Sequence, residues 1–345
     1  MVEVVGLIIS FATFLGIYAL LGLSLNLEYG YAGLPNFGQV LFYAIGAFTA
    51  GGLTTTVLTL GSGLDRLGVP AAQLRAQVAV SRPLFNFAIF ILGLLLAMLV
   101  SGAFGYLASY PTLRLREDYL AMTLLAFGEI LRIIAQNYYP IAGGPFGVGG
   151  IPNPFSWLTE PDALGLAYTA VVLICVVAAY VYLEELVNSP FGRVLKSIRD
   201  DETTSLGLGK NVARTKGQVM IIGSAFAGLA GALYIYYTGF VGAGDFVSLV
   251  TMDIWVVVLL GGAASNLGII FGAAAVTIID RATRLINLEL GFMNLPVDLN
   301  YLRWIIVGVV MIVILIFRPS GLVPERPIRT PAAELIDRKT PSSNG

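Results

Sequence analysis

Seven runs of about twenty mostly apolar residues recur along the chain, at 4–27, 37–60, 84–108, 119–138, 164–183, 218–238 and 302–317. Coiled as helices, runs of this length match the ~30 Å hydrocarbon core of a bilayer, where a backbone must satisfy its own polar groups. The region 249–280 differs. It holds two shorter runs, MDIWVVVLL and LGIIFGAAAVTII, split by GGAASN at 261–266. The pair reads either as two short spans or as a re-entrant hairpin. The expected fold is therefore all-α, a polytopic transmembrane helical bundle of about 8–9 membrane segments including this Gly-broken pair.

The remaining composition narrows the function. Only 12% of residues are charged, about half the share in soluble domains. The net charge of −1 gives no electrostatic case for nucleic acid. Histidine is absent and Cys175 is the only cysteine, so an internal disulfide is excluded and no Cys/His metal site is expected. The first charge is Glu3 and the first basic residue is Arg66. A cleaved leader would carry an early basic region, so 4–27 is expected to remain as a span.

Lysine and arginine set an orientation. Arg114 and Arg116, six basic residues within 184–217, and Arg318, Arg326, Arg329, Arg338 and Lys339 fall on one side, thirteen in all. Six arginines fall on the other: Arg66, Arg75, Arg82, Arg281, Arg284 and Arg303. The richer side is expected in the cytoplasm, which puts the N-terminus outside and the C-terminus inside. The Gly- and Pro-rich loop 139–163 then faces outward, with turns and no long helix. Residues 1–323 read as the membrane domain, and 324–345 as a disordered cytoplasmic tail.

Catalytic constellations are missing. Without histidine the commonest general base is gone. GLGKN at 207–211 lacks the upstream glycine and the Ser/Thr of a phosphate-binding loop, so active transport would draw its energy from an ion gradient or from a partner. Glu129 and Arg132 lie at i and i+3 in one span and can pair. They read as a structural ion pair, a proton relay or part of a pathway; Asp253 reads as interfacial.

One segment resists the membrane reading. SPFGRVLKSIRDDE, 189–202, carries six charges in fourteen residues between two spans. Ser189-Pro190 is a helix start signal, and Phe191, Val194, Leu195 and Ile198 form one apolar face. The spacing predicts a helix from Pro190 to about Leu206, ending near Gly207 or Gly209. Arg193, Lys196 and Arg199 mark the other side. That helix could lie on the lipid surface or in a groove of another protein.

Four ordered blocks carry a resemblance. They are GRVLKSIRDDETTSLGLGKNVARTKGQVMIIGSAFAGLAGALY (192–234), LNLEYGYAGLPNFGQVLFYAIGAFTA (25–50), RLREDYLAMTLLAFGEILRII (114–134) and VVLLGGAASNLGIIFGAA (257–274), and the resemblance covers most of the chain. The chain resembles the LivM-type permeases of ABC importers for branched-chain amino acids. The resemblance implies a second homologous permease, two cytosolic ABC ATPases that carry the ATP and magnesium, and an external solute-binding protein; no cofactor is expected on this chain itself. It implies that the charged segment is an ATPase-coupling helix, carried by Phe191, Arg193, Val194, Leu195, Ile198, Arg199, Asp200, Glu202 and Gly207. Its apolar face would then meet the ATPase. The candidate translocation pathway comprises Asn26, Tyr31, Asn36, Gln39, Tyr43, Gly261 and Gly262, where glycines and Pro35 break the helix between neutral polar groups. The chain departs from the family at Thr203-Thr204, at Pro35-Asn36 and in a longer outer loop, 61–83. Urea or short amides are the alternative cargo. An ATP-independent channel or carrier is the rival of another class.

Overall fold

The apolar runs fold as helices whose ends fall within about six residues of the expected limits, the largest departures being the end of the helix Pro161–Asn188 and the start of the helix Val212–Thr238. The computed structural model describes residues 2–112, 117–290, 300–318 and 320–325. Arg114, Arg116 and all but the first two residues of the expected tail 324–345 lie outside them. α1 (Val2–Leu25) continues into a wider π-helical turn, Asn26–Tyr31. α2 (Gln39–Thr59), α3 (Val69–Ser81), α4 (Pro83–Thr112), α5 (Glu117–Asn137) and the single turn α6 (Tyr139–Ala142) follow. After the two-residue strand β1 (Val148–Gly149) come α7 (Pro161–Asn188), α8 (Pro190–Asp200), α9 (Glu202–Gly207) and α10 (Val212–Thr238). Strand β2 (Phe240–Val241) then precedes α11 (Ser248–Gly261), α12 (Asn266–Leu290) and α13 (Asn300–Phe317). Among the described residues eight helices are long and apolar enough to cross a membrane. Region 249–280 is thus two separate helices joined by a tight turn, and the loop 61–83 contains α3, which its mixed composition concealed.

Close backbone approach sets the packing. α10 lies at the centre, with 78% of its apolar window buried, while α5 stands at the edge with 22%. Gly228 of α10 and Gly46 of α2 touch through their backbones, and a Cβ on Gly46 would collide with the Gly228 carbonyl. Lipid tails are as apolar as leucine, so membrane helices associate through such van der Waals contact of small residues. The same close approach joins α11 to α12 at Gly261, Gly268 and Gly272. Leucines, isoleucines and phenylalanines on α4, α5 and α7 stay exposed, among them Leu95, Leu99, Ile130 and Ile174. A lipid-facing surface looks like this.

Two polar caps close the bundle ends. At one end Arg75 of α3 is buried and donates to the carbonyls of Gly150 (2.9 Å), Gly149 (2.7 Å) and Arg66 (2.8 Å). Burial, helped by the nearby Arg66, pushes its pKa down. Val148 pairs with Val241 in the antiparallel β1–β2 bridge, and Asn153 donates to the Tyr236 carbonyl at 3.2 Å. The opposite end carries α8, α9, the 26–38 segment, the 262–265 turn and the chain after α13.

Candidate functional site

The charged segment is not one helix. Asp201 adopts extended backbone (φ −157°, ψ 107°) and divides it into α8 and α9. The cause is local. The Asp201 carboxylate accepts from the Thr204 N–H (3.0 Å), the Thr204 hydroxyl (2.5 Å) and the Thr203 hydroxyl (2.6 Å), an N-cap that starts a new helix. The Thr203 hydroxyl first, then Thr204, hold the Asp201 carboxyl well below the usual carboxylate range. Ser189 caps α8 as expected, accepting from the Phe191 N–H at 3.2 Å. Ser197 and Ser205 join the two helices through their hydroxyls at 2.8 Å, and Lys216 of α10 reaches Glu202 at 2.6 Å.

The apolar face of α8 points the other way from the expectation. Leu195 is 0% exposed and Ile198 3%, and Phe191 packs half-buried against the same core. Leu195 and Ile198, with Phe191 beside them, therefore bind α8 to its own bundle and are not the surface that meets a partner, while Val194 stays half-buried. Arg193, Ser197 and Asp200 are exposed, as are Glu202, Leu206, Gly207 and Leu208 beyond them. Arg199 turns inward: Nη1 donates to the Gly30 carbonyl at 2.8 Å and lies 3.0 Å from Glu325. Burial opposes its charge, but the bonds to Glu325 and Asp200 outweigh that and raise its pKa.

The Asn26–Gln39 block forms a dense polar layer at the same end. Asn26, Asn36 and Gln39 are all fully buried. Asn26 donates to Asn266 at 3.0 Å and accepts the Ala264 N–H at 2.8 Å. Asn266 donates in turn to Glu184 of α7 at 2.9 Å. Asn36 and Gln39 both donate to one carboxylate oxygen of Glu28, at 2.8 and 2.7 Å. Its other oxygen, Oε1, faces Gly223 of α10 and takes no hydrogen bond among the described residues. Sequence reasoning passed over Glu28, a buried acid at the heart of this layer. The available signal was a lone acid in LNLEYGY at the end of an apolar run.

The expected pathway residues do not share one space. Tyr31 is buried beneath Lys196, whose ammonium stands 5.5 Å from its ring centroid. Tyr43 packs higher on α2 against Tyr234 and Phe246, with centroids 5.8 and 5.2 Å away. Gly261 and Gly262 form the α11–α12 corner, Gly262 at φ +107°. A cavity of about 370 Å³ opens between this corner and α8, lined by Gly30, Gly33, Ile198, Arg199, Ala263 and Glu325. Asp253 is buried within the protein on α11. Arg132 donates through both Nε and Nη2 to Glu129, which also accepts from Ser248 at 3.4 Å. That pair stands half-exposed on α5, apart from the polar layer.

A helical membrane bundle with a capped amphipathic hairpin at one end fits a transport subunit. Residues 7–315 match the family described as branched-chain amino acid transport system / permease component. The chain belongs to this family. It is 34% identical to a probable branched-chain amino acid transport permease protein, LivM, of Methanocaldococcus jannaschii, across 92% of this chain and 93% of that protein. The high-affinity branched-chain amino acid transport system permease proteins LivM of Salmonella typhimurium and Escherichia coli are 33% and 32% identical, each over 92% of this chain and 70% of theirs. No solved structure matches the chain. Family membership makes this a multi-pass membrane transport component, and the resemblance drawn from the four sequence blocks is the same family.

Proposed function

We propose that this chain is the permease subunit of an ATP-driven importer for branched-chain amino acids. It works with a second homologous permease, two cytosolic ABC ATPases and an external solute-binding protein. The end bearing α8 is cytoplasmic, and the N-terminus is outside. The observation that carries this reading is the α8–α9 hairpin. Its apolar side is seated on the bundle, and a polar rim containing Arg193, Asp200 and Glu202, with exposed Leu206 and Leu208, is left on the outside. A helix merely adsorbed to lipid would turn its apolar face toward the membrane. Here that face is taken up by the protein itself, so the polar rim is free for a soluble partner. ATP and magnesium belong to the ATPases.

On this reading the polar layer beneath α8 is the closed inner gate. Glu28 holds Asn36 and Gln39 while Asn26 holds Ala264 and Asn266, and opening would exchange these bonds for contacts with water and the zwitterionic main-chain groups of the cargo. The mostly neutral lining suits an apolar side chain in transit. Co-expression with the cognate ATPases and permease, followed by affinity purification and reconstitution in vesicles, tests the proposal. ATP and binding protein together should drive leucine uptake. Full-rate uptake by this chain alone, without ATP, would establish the carrier instead.

A further inference from the structure

Three residues tie α8 to two distant parts of the bundle, and the chain end after α13 is one of the ties. The Leu322 N–H donates to the Leu260 carbonyl at 2.9 Å, and the Val323 N–H to Gly261 at 3.0 Å. Gly321, at φ +74°, lies directly on Gly262. Residues 320–325 are thus a strap over the α11–α12 corner. Two residues past the last of these bonds, Glu325 reaches α8, 3.0 Å from Arg199 and 3.5 Å from Lys196. Arg199 holds the second tie with its bond to the Gly30 carbonyl. Gly30 has no slack, because a Cβ there would run into Asn26 and the Ala264 backbone.

We infer that Arg199 and Glu325 are positioning residues for energy coupling, carrying displacement of α8 to the Gly30 turn and, through the strap, to the α11–α12 corner. The inference rests on the reading of α8–α9 as the ATPase-docking element. Half-exposed ion pairs of this kind add little to fold stability, so simple stabilisation does not account for the arrangement. Geometry does. Both ties converge on the last turn of α8, and both end on backbone that belongs to the buried polar layer: Gly30 beside Asn26, and the corner whose Ala264 N–H Asn26 accepts. A shift of α8 is therefore applied to both walls of that layer at once, which a single contact could not do.

The test uses the complete transporter in vesicles, comparing wild type with Glu325→Gln and Val323→Pro. The first removes the charge at unchanged size. The second deletes the N–H that Gly261 accepts, without altering any side chain of α8 or α9. Both variants should assemble with the ATPases and hydrolyse ATP within about twofold of wild type, while leucine moved per ATP falls at least fivefold. Arg199→Lys, which can serve one tie but not both, should fall between. Wild-type transport per ATP in Glu325→Gln and Val323→Pro would overturn the inference, as would loss of ATPase assembly, which would place these residues in docking. If the wild-type chain itself takes up leucine without ATP, the proposed function fails first and separately.

Discussion

Leu195→Ala decides which way α8 faces. The side chain is fully buried, and with Ile198 and the flank of Phe191 it forms the apolar seat of α8 on the bundle, beside the polar ties of Lys196 and Arg199. Truncating a buried leucine costs about 2–5 kcal/mol, from lost burial and the cavity left behind. Taking about 3 kcal/mol, and about 1.4 kcal/mol for each tenfold change in an equilibrium, α8 should detach roughly a hundred times more often. The bundle itself should persist, because its helices pack independently of this face. Hydrogen exchange on the purified protein reads this directly. Amides of residues 193–200 should exchange up to about two orders of magnitude faster, and those of α10 should be unchanged. Arg193→Ala, on the exposed side, is the control and should leave exchange as it was. If Leu195→Ala exchanges like the control and chiefly weakens ATPase binding, the apolar face points outward and the present assignment is wrong.

Other perturbations separate the remaining roles. Arg193→Glu should reduce ATPase co-purification while leaving the thermal midpoint of the permease unchanged. Arg75→Ala leaves the carbonyls of Gly149, Gly150 and Arg66 unpaired in a buried place, costing about 3 kcal/mol; thermal denaturation in detergent should show the lower midpoint. Gly46→Val drives a side chain into the Gly228 backbone and should lower the yield of folded protein by size-exclusion chromatography. The Asp201 cap has a pH signature. Its folded pKa is depressed, so the contribution is complete above the unfolded value of about 3.9 and is lost as pH falls through the folded one. Protection of the Thr204 amide should thus persist from pH 7 to about 5 and disappear only in strong acid; loss between pH 7 and 5 would contradict the cap.

Most of the architecture was legible in the chain itself. Span length is a one-dimensional property, so 37–60 and 302–317 could be placed as helices with no partner in view. The start of α8 was equally local, a serine followed by proline. The Glu129–Arg132 contact needs only helical spacing. The residues 61–83 were less legible, because α3 buries just Ala71, Arg75 and Ala79, too thin a stripe to stand out from a polar loop.

The sequence alone determined that this chain crosses a membrane many times and that residues 189–202 must bury one apolar face. It could not say against what. Amphipathic periodicity gives the existence of a face, whereas its partner is fixed by long-range packing, here the bundle under Leu195 and Ile198. The same limit hid Glu28 and Glu325. A buried acid becomes meaningful only once Asn36 and Gln39 are seen to converge on it. The strap becomes visible only when residues near the end of the chain return to Gly261 and, more than a hundred positions earlier, to Arg199. Distance along the chain carries no information about such contacts. The close approach of backbones at Gly228 and Gly262 does, and it exists only in the folded bundle.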